Sequence, residues 1–192
     1  MESEVRFSGF GGQGVILMGI VLGRAAAVYD RSTGPDGKEI TKSAIQTQSY
    51  GPSARGGHSK CDVKISTEEM RYPFVEVPDY LVILSKQAYS KYVSEVKPTT
   101  TIIIDPGLVQ EKPPGRVFMI PATKEAEKLG TRIVANIIML GAFREISGLV
   151  SYDALEKAML DSLPKPTHDL NKSALSVGRR LGQEALAAKD KD

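Results

Sequence analysis

The sequence predicts an α/β fold in which a mostly parallel sheet lies between two layers of helices. A short apolar strand pattern, Val5–Phe7, runs into a glycine turn and then into an apolar helix pattern that extends to Tyr29. From Pro78 onward, short apolar strands again alternate with helical patterns, which is the order typical of a parallel sheet. Because the first unit has the order strand, glycine turn, helix, we expect a Rossmann-like three-layer unit.

The other elements follow from apolar periods and from the turn residues that bound them. Residues 38–66 lack a helical pattern, so they are expected to form a strand–loop–strand insertion. Strands are predicted at residues 5–7, 38–47, 61–66, 80–84, 101–104 and 116–120. Helices are predicted at residues 14–29, 87–96, 124–129, 131–147, 152–162 and 169–188. We expect one domain over residues 1–192, with the Rossmann-like core at 5–149 and C-terminal helices at 151–188.

Four positions in the second half of the chain carry specific expectations. Thr123 and Ser151 precede helical patterns and are predicted to be N-caps. Ile133 belongs to a broad apolar stripe of the long helix predicted after Gly130. Asn136 lies in the same apolar helix and is predicted to be a hydrogen-bonded amide.

Composition argues against several classes of function. The chain of 192 residues has 25 basic and 23 acidic side chains and no tryptophan, which argues against binding to nucleic acid. Its one cysteine, Cys61, excludes an internal disulfide and a cluster held by this chain alone, since an iron–sulfur cluster needs about four cysteine ligands. We expect Cys61 to be a small buried apolar side chain at the start of a half-exposed strand, Cys61–Ser66. With His58 and His168 as the only histidines, no metal site is predicted.

The N-terminal half gives no indication of a membrane span or of export. Met1–Glu4 is acidic where a signal peptide would be basic. The longest apolar run, at residues 15–22, is far shorter than the roughly 20 residues that span a bilayer. We therefore expect a cytoplasmic protein that does not enter the membrane.

The first candidate site is the glycine turn between the first strand and the first helix. Its spacing, Gly9-x-Gly11-x-x-Gly14, fits the dinucleotide fingerprint and encloses Gly12 and Gln13. Glycine lets the backbone approach an anion, and a helix start offers N–H groups and the positive end of the helix dipole. The motif therefore predicts an anion site, although a tight turn without any ligand needs the same glycines.

A second glycine segment, Gln48–His58, follows the predicted second strand. Ligands of parallel α/β sheets lie outside the carboxyl ends of the strands, so the two segments should meet at one edge if the first two strands are neighbours. Arg55 is the only cation in either segment, and its guanidinium suits a phosphate or a carboxylate; a surface or interface ion pair is the alternative role. The predicted ligand- or interface-binding edge comprises Gly9, Gly11, Gly12, Gln13, Gly14, Ser49, Tyr50, Gly51, Arg55, Gly56 and Gly57.

A nicotinamide cofactor fits this pattern poorly. A Rossmann site holds the ribose with an acid at the end of the second strand. Asp30 has the right distance from the glycines, but it is expected at the end of the first helix. No Ser-His-Asp, Cys-His or paired-carboxylate arrangement accompanies the glycine segments, so no catalytic residue is predicted.

The two glycine segments, taken together, resemble the gamma subunits of 2-oxoacid:ferredoxin oxidoreductases. The similarity lies in Gly9–Gly14 and Ser49–Gly57, and it continues through Tyr72-Pro73, Pro78–Val82 and Ile103–Asp105. The pair of motifs in this order is more specific than either motif alone. The form of the second motif, with Tyr50 and Pro52, looks most like the 2-oxoglutarate type. Departures from the family pattern occur at Ser53, where an acid is frequent, and at His58–Lys60, where small residues are common.

The resemblance implies a division of labour within a multisubunit enzyme. Such enzymes decarboxylate a 2-oxoacid on thiamine diphosphate, pass electrons through iron–sulfur clusters to ferredoxin, and release an acyl-CoA. Alpha and beta subunits bind thiamine diphosphate, and the clusters lie on cysteine-rich chains that include a ferredoxin-like delta subunit or domain. A gamma subunit then contributes assembly and closure of the active site, holds no cofactor by itself, and is inactive alone.

Two other functions stay open on the sequence alone. One is a free-standing nucleotide- or flavin-binding Rossmann-like module. The other is the smaller subunit of the related indolepyruvate enzyme, which uses a different second motif. A homodimer of the isolated chain is also left open.

Overall fold

The computed structural model describes residues 2–33, 39–50, 57–111, 113 and 115–189. Its centre is a six-stranded sheet with the order β4-β5-β1-β6-β7-β8, and a small second sheet pairs β2 with β3. β5 is antiparallel to both of its neighbours, whereas β1, β6, β7 and β8 run parallel. The predicted α/β fold with a mostly parallel sheet and a strand–loop–strand insertion is therefore confirmed. The strands are β1 Glu2–Phe10, β2 Ser32–Thr33, β3 Glu39–Ile40, β4 Ser43–Tyr50, β5 His58–Ser66, β6 Tyr80–Ile83, β7 Thr101–Ile104 and β8 Arg116–Met119.

Helices cover both faces of the sheet, so the predicted three layers are present. α2 packs against apolar side chains of β6 and β7 on one face, and the remaining helices enclose the larger core on the other face. Within the described ranges, no helix has both the length and the apolar character needed to cross a membrane. The single domain over residues 1–192 stays a prediction. The helices are α1 Val15–Arg24, α2 Lys86–Tyr92, α3 Ala122–Lys128, α4 Ala135–Ser147, α5 Tyr152–Ser162 and α6 His168–Lys189.

β1 lies at the centre of the sheet because it buries side chains on both faces. Val5 and Phe7 are fully buried in the larger core, where the Phe7 ring stacks edge-to-face on Phe143 with 5.3 Å between the centroids. On the opposite face, the Arg6 Nε donates to Asp62 Oδ1 of β5 at 2.8 Å, and both residues are buried. A second guanidinium nitrogen donates to Asp62 Oδ2 at 3.0 Å. This bidentate pair lets two charged side chains lie inside the fold.

β5 is buried on both faces, so the prediction of a half-exposed strand at residues 61–66 is wrong. Toward the larger core, Cys61 packs against Gly19 of α1, where a Cβ would overlap the cysteine sulfur. The prediction that Cys61 is a small buried side chain is confirmed. On the other face, Lys64 is buried with its Nζ 2.8 Å from a Glu4 carboxylate oxygen. Charged side chains that are paired inside the fold alternate with apolar ones along β5. This polar–apolar pattern is the same as that of a strand with one face in solvent.

The first helix ends as predicted, but its last turn is π-helical. α1 continues into a π-helical segment at Ala25–Tyr29. Asp30 follows at the helix end, as expected, and its carboxylate accepts from Lys42 Nζ at 2.5 Å and from the Ser151 N–H at 2.9 Å. Burial raises the pKa of Asp30, but these hydrogen bonds outweigh burial and hold the pKa below its usual value. Ser151 is the N-cap of α5, as predicted, and its hydroxyl accepts from the Ala154 N–H.

The second long strand lies later in the chain than predicted. The strand expected at 38–47 is divided into β3 and β4, and β4 continues to Tyr50. Ser49 and Tyr50, which were expected in a loop, therefore pair with Lys60 and Ser59 of β5. The polar sequence of β4 is compatible with a strand because β4 lies at the edge of the sheet.

The region before α4 differs from the prediction at two positions. α3 begins at Ala122, so Thr123 is not its N-cap. Instead, the Thr123 N–H and hydroxyl donate to Asp105 at 2.7 and 2.6 Å. A 3-10 turn at Arg132–Val134 replaces the first turn of the continuous helix that was expected. Because a 3-10 turn is tighter than an α-helical turn, Ile133 leaves the apolar stripe and is 83% exposed.

Candidate functional site

The candidate site lies at the edge of the sheet where the parallel strands end. β1 ends at Phe10, which pairs with His58 at the start of β5. Just beyond this pair, the Gly11 N–H donates to the Gly57 carbonyl at 2.9 Å. The two glycine segments therefore meet, as expected for segments at one carboxyl edge, although β5 separates β1 from β4.

Both polar atoms of the Gln13 side-chain amide make hydrogen bonds within the protein at this edge. Its Oε1 accepts from the Phe10 N–H at 2.5 Å, and its Nε2 donates to the Leu84 carbonyl at 2.7 Å. The side chain thus bridges the ends of β1 and β6, which are neighbours in the sheet. Gly9 leaves the room for this bridge, because a Cβ at Gly9 would lie 2.5 Å from Gln13 Oε1.

α1 begins directly after the glycine turn and presents its N-terminus to this edge. Gly14 is the N-cap with a φ of +74°, and Gly12 has a φ of +99°. Both values lie in the left-handed region that favours glycine. Among the described residues, no side chain caps the helix, and its first turn contains no acidic residue. In the described part of the chain, the N–H groups of the first turn therefore have no side-chain acceptor, and no acid of that turn offsets the positive end of the helix dipole, which is the arrangement that favours an anion.

A cleft of about 300 Å³ opens beside this helix start. Gly12 and Gln13 are its only lining residues that the sequence motifs predicted. The others come from the ends of β6 and β7 and from the segments that begin α3 and α4, which no glycine motif marks. The rule that ligands lie at carboxyl ends of strands could have pointed to the residues after β6 and β7. The lining residues are Gly12, Gln13, Leu84, Leu108, Thr123, Arg132, Ile133, Ala135 and Asn136.

Arg132 supplies positive charge to the lining of this cleft. Its side chain is 76% exposed, and its Nε donates to a Glu127 carboxylate oxygen at 2.5 Å. Exposed ion pairs of this kind contribute little stability, so Arg132 can exchange Glu127 for an anionic ligand. The planar guanidinium fork suits a phosphate group.

Asn136 connects α4 to the glycine turn. Its Nδ2 donates to the Gly14 carbonyl at 3.5 Å, and its Oδ1 accepts from the Ile137 N–H at 3.0 Å. The prediction that Asn136 is a hydrogen-bonded amide is confirmed, and the structure adds that it lines the cleft. The bond to Gly14 is long, so the amide nitrogen can turn toward a ligand.

Part of the cleft wall is apolar. Leu84 and Leu108 follow β6 and β7, and Ile133 adds an exposed aliphatic side chain. A pocket of this kind combines apolar walls with a few directed polar groups. The geometry suits a ligand that has both anionic and apolar parts.

Cys61 and His58 do not line this cleft. Burial raises the pKa of the Cys61 thiol to about 11, so Cys61 stays protonated at neutral pH and is a poor nucleophile. His58 opens β5 instead of lying in a loop, and its Nε2 is 2.7 Å from the Lys91 Nζ. Across the described residues, no group of three or more His, Cys, Asp or Glu side chains is placed to hold a metal ion.

The other residues of the predicted ligand- or interface-binding edge either lie on β4 or fall outside the residues that the structure describes. Ser49 is exposed on β4, and Tyr50 is the last residue of that strand. Gly51, Arg55 and Gly56 lie outside the described residues. The roles predicted for them stay predictions.

Comparison with known proteins places these features in a family. The sequence model of the pyruvate ferredoxin/flavodoxin oxidoreductase family matches residues 4–181, which include the glycine segments and the cleft. The chain belongs to this family. The resemblance to gamma subunits is thereby confirmed at the level of the family, and individual relatives make it more specific.

Two relatives match this chain along nearly its full length. The 2-oxoglutarate synthase subunit KorC of Methanocaldococcus jannaschii is 47% identical over 189 residues, which are 96% of this chain and 96% of that protein. The gamma subunit of a keto/oxoacid ferredoxin oxidoreductase from Geobacter sulfurreducens has a crystal structure that is similar with a TM-score of 0.81 and 37% identity. That match covers 96% of this chain and 98% of the Geobacter chain.

A third similarity concerns the fold alone. The 2-oxoglutarate:ferredoxin oxidoreductase from Magnetococcus marinus was solved with 2-oxoglutarate, coenzyme A and succinyl-CoA bound. Its structure matches 95% of this chain with a TM-score of 0.79, at 19% identity. The matched part is 31% of that longer chain.

Proposed function

We propose that this chain is the gamma subunit of a thiamine-diphosphate-dependent oxidoreductase that oxidatively decarboxylates 2-oxoglutarate and reduces ferredoxin. The observation that carries the proposal is the 47% identity with a 2-oxoglutarate synthase subunit over nearly the whole of both chains. The Tyr50-Gly51-Pro52 form of the second glycine motif supports the same substrate.

The reaction requires chemistry that other subunits supply. 2-Oxoglutarate and CoA yield succinyl-CoA and CO₂, and two electrons pass to ferredoxin. Thiamine diphosphate, bound by the alpha and beta subunits, provides the carbanion chemistry. With one cysteine, this chain cannot hold an iron–sulfur cluster by itself, so the clusters belong to cysteine-rich partners such as a ferredoxin-like delta subunit. The subunit is then inactive alone, and a cytoplasmic location accompanies this assignment.

The cleft at the carboxyl edge is the part of this chain that would meet the substrates, and CoA fits it best. CoA carries anionic phosphates, which suit the uncapped start of α1 and the Arg132 guanidinium. Its pantetheine arm is partly apolar and suits the wall formed by Leu84, Leu108 and Ile133. Gln13 then acts as a positioning residue, because it fixes the turn from which α1 starts.

Reconstitution with partner subunits tests the assignment. The thiamine-binding and cluster-bearing subunits are purified with and without this chain, and ferredoxin reduction is followed with 2-oxoglutarate, pyruvate and 2-oxoisovalerate at saturating CoA. We expect activity only with this chain present, and kcat/KM for 2-oxoglutarate at least about 100-fold above that for the other two acids. A chain that does not associate with these subunits, or that carries a bound flavin when purified, contradicts the proposal.

Arg55 provides a second test that depends on the sequence alone. It is the only cation of the two glycine segments, so Arg55→Ala should lower turnover of the complex while the isolated subunit stays folded. Unchanged kinetics at saturating 2-oxoglutarate and CoA would leave Arg55 with an interface role or no role.

A further inference from the structure

The segment at residues 67–79, which connects β5 to β6, forms an ordered platform at the edge of the sheet opposite the cleft. It has no regular helix or strand, yet several hydrogen bonds hold its second half. The Arg6 guanidinium donates to the Val75 carbonyl at 2.8 Å, and the Thr100 hydroxyl donates to the Pro78 carbonyl at 2.7 Å. Asp79 exchanges two hydrogen bonds with Glu4 of β1, each of 2.8–2.9 Å. Residues 75–79 are therefore fixed before the segment meets any partner.

Two aromatic rings stand out from this platform. Tyr72 and Phe74 are 52% and 55% exposed, and they stack edge-to-face with 5.5 Å between the ring centroids. Pro73 lies between them and restricts the backbone. The Lys64 Nζ lies 5.8 Å from the Tyr72 ring centroid and supports that ring from below. Exposed aromatic rings that are already ordered are typical anchors of protein–protein interfaces.

The chain around these rings is mostly acidic. Glu69 and Glu76, which flank the aromatic pair in the sequence, are exposed, and Arg71 is the one cation of the segment. Glu2 at the start of β1 adds a carboxylate that is 46% exposed and is shared with Lys64. A partner surface that matches this patch needs an apolar recess surrounded by lysine and arginine side chains.

We propose that Tyr72 and Phe74 anchor this chain to another subunit of the oxidoreductase, which receives the two rings in an apolar recess with a basic rim. The inference rests on the proposed function, because it requires that the chain works inside a complex. It also assigns assembly and ligand binding to opposite edges of the sheet. The cleft is then left open toward the reacting groups while the platform holds the subunit in place.

The test measures the affinity of the full chain for the complex of the remaining subunits. The Tyr72→Ala/Phe74→Ala double variant should bind at least about 100-fold more weakly than wild type, because truncation of central interface aromatics typically has large effects. The matched control is Ile20→Ala/Met119→Ala, which removes two other exposed apolar side chains and should leave the affinity unchanged. Thermal unfolding of both variants verifies that they are folded.

A second pair of changes keeps the rings and alters only the charge. Glu69→Lys/Glu76→Lys should weaken binding about 10-fold at low salt, and the difference should shrink at high salt because exposed charges are screened. Because this variant keeps both rings, it tests the same surface even if the aromatic variant fails to fold. An affinity equal to that of wild type at low salt would contradict the basic rim of the partner.

Each other outcome contradicts a defined part of this account. Wild type that binds, together with a Tyr72→Ala/Phe74→Ala variant that binds equally well, overturns the anchor and leaves the proposed function intact. Wild type that does not bind the other subunits overturns the proposed function and the anchor with it. An isolated chain that is dimeric and becomes monomeric in the aromatic variant assigns the patch to a second copy of this chain, which also overturns the anchor.

Discussion

Gly14 is the residue at which the candidate site depends most closely on the absence of a side chain. It has a positive φ, and a Cβ would overlap the amide of Asn136. Gly14→Ala should therefore lower the free energy of unfolding by about 2–3 kcal/mol, from left-handed backbone strain and overpacking together. Urea unfolding of the full chain, followed by circular dichroism, measures this change.

Gly12 and Asn136 provide the controls for that measurement. Gly12 also has a positive φ, but open space surrounds the position of its Cβ, so Gly12→Ala should lower stability by only about 1 kcal/mol. Asn136→Ala should relieve part of the Gly14→Ala effect in the double variant. Equal effects of Gly12→Ala and Gly14→Ala would contradict the close contact between the turn and α4.

The glycine turn and its meeting with the second glycine segment were predictable from sequence, whereas the contacts of the turn and the cleft with the region of α4 were not. Gly9, Gly11 and Gly14 follow a known spacing, and the strand before them and the helix after them are evident from local patterns. Asn136 meets Gly14 across a sequence separation of 122 residues, and nothing in its own neighbourhood indicates this contact. Arg132 is likewise an ordinary polar residue until the crossover connections of the sheet bring it to the cleft.

At the scale of elements, the contact between α4 and α6 depends on glycine at the crossing. A Cβ at Gly178 would overlap the Ile138 carbonyl, and a Cβ at Gly141 would lie 2.6 Å from the Leu175 carbonyl oxygen. Gly178→Ala should therefore destabilise the fold by about 1–3 kcal/mol, although alanine is the better helix former.

Gly23 in α1 is the matched control for this helix crossing. A Cβ there would meet only the Ala44 Cβ, at 3.8 Å. Gly23→Ala should be neutral or stabilise by up to about 1 kcal/mol. If Gly178→Ala were as stable as Gly23→Ala, then α4 and α6 could move apart to accommodate a methyl group without a measurable loss of stability, which would contradict the close crossing.

The Asp30 network joins three elements and makes stability depend on pH. The pKa of Asp30 is lowered in the folded chain, so its contribution is complete above the unfolded pKa of about 3.9 and is lost as the pH falls through the folded pKa. Asp30→Asn should destabilise by about 2 kcal/mol at pH 7 and at pH 5. The difference from wild type should shrink at about pH 3.

An exposed carboxylate controls for the charge change at Asp30. Asp161 pairs with Arg24, and its side chain is 48% exposed, so Asp161→Asn should change stability by less than about 1 kcal/mol. A constant gap between wild type and Asp30→Asn down to about pH 3 would contradict the lowered pKa of Asp30.

Apolar periodicity was a poor guide to structure at two places, the start of α4 and the strand β5. The apolar stripe around Ile133 suggested one continuous helix, but a 3-10 turn places this side chain in solvent. Alternation in β5 suggested exposure, but charged partners on β1 satisfy Asp62 and Lys64, which are both buried. In β5 the contacts that determine the outcome are distant in sequence, and local patterns do not contain them.

At the scale of the whole molecule, the two edges of the sheet have different chemistry. The carboxyl edge carries the glycine turn, the uncapped α1 and the cleft with Arg132. The opposite edge carries the ordered platform with Tyr72 and Phe74. The fold class could be predicted because strand and helix patterns alternate, whereas this division could not, since it depends on where each connection crosses the sheet.

The most direct test of the proposed role of the cleft is the KM for CoA of the reconstituted complex that contains Arg132→Ala. If the cleft binds CoA, this KM rises about 10- to 100-fold while the KM for 2-oxoglutarate stays unchanged, because one charged hydrogen-bonding group is lost. Arg180→Ala, which removes an exposed arginine that does not line the cleft, should leave both values at the wild-type level. An unchanged KM for CoA in Arg132→Ala would contradict the assignment of this cleft.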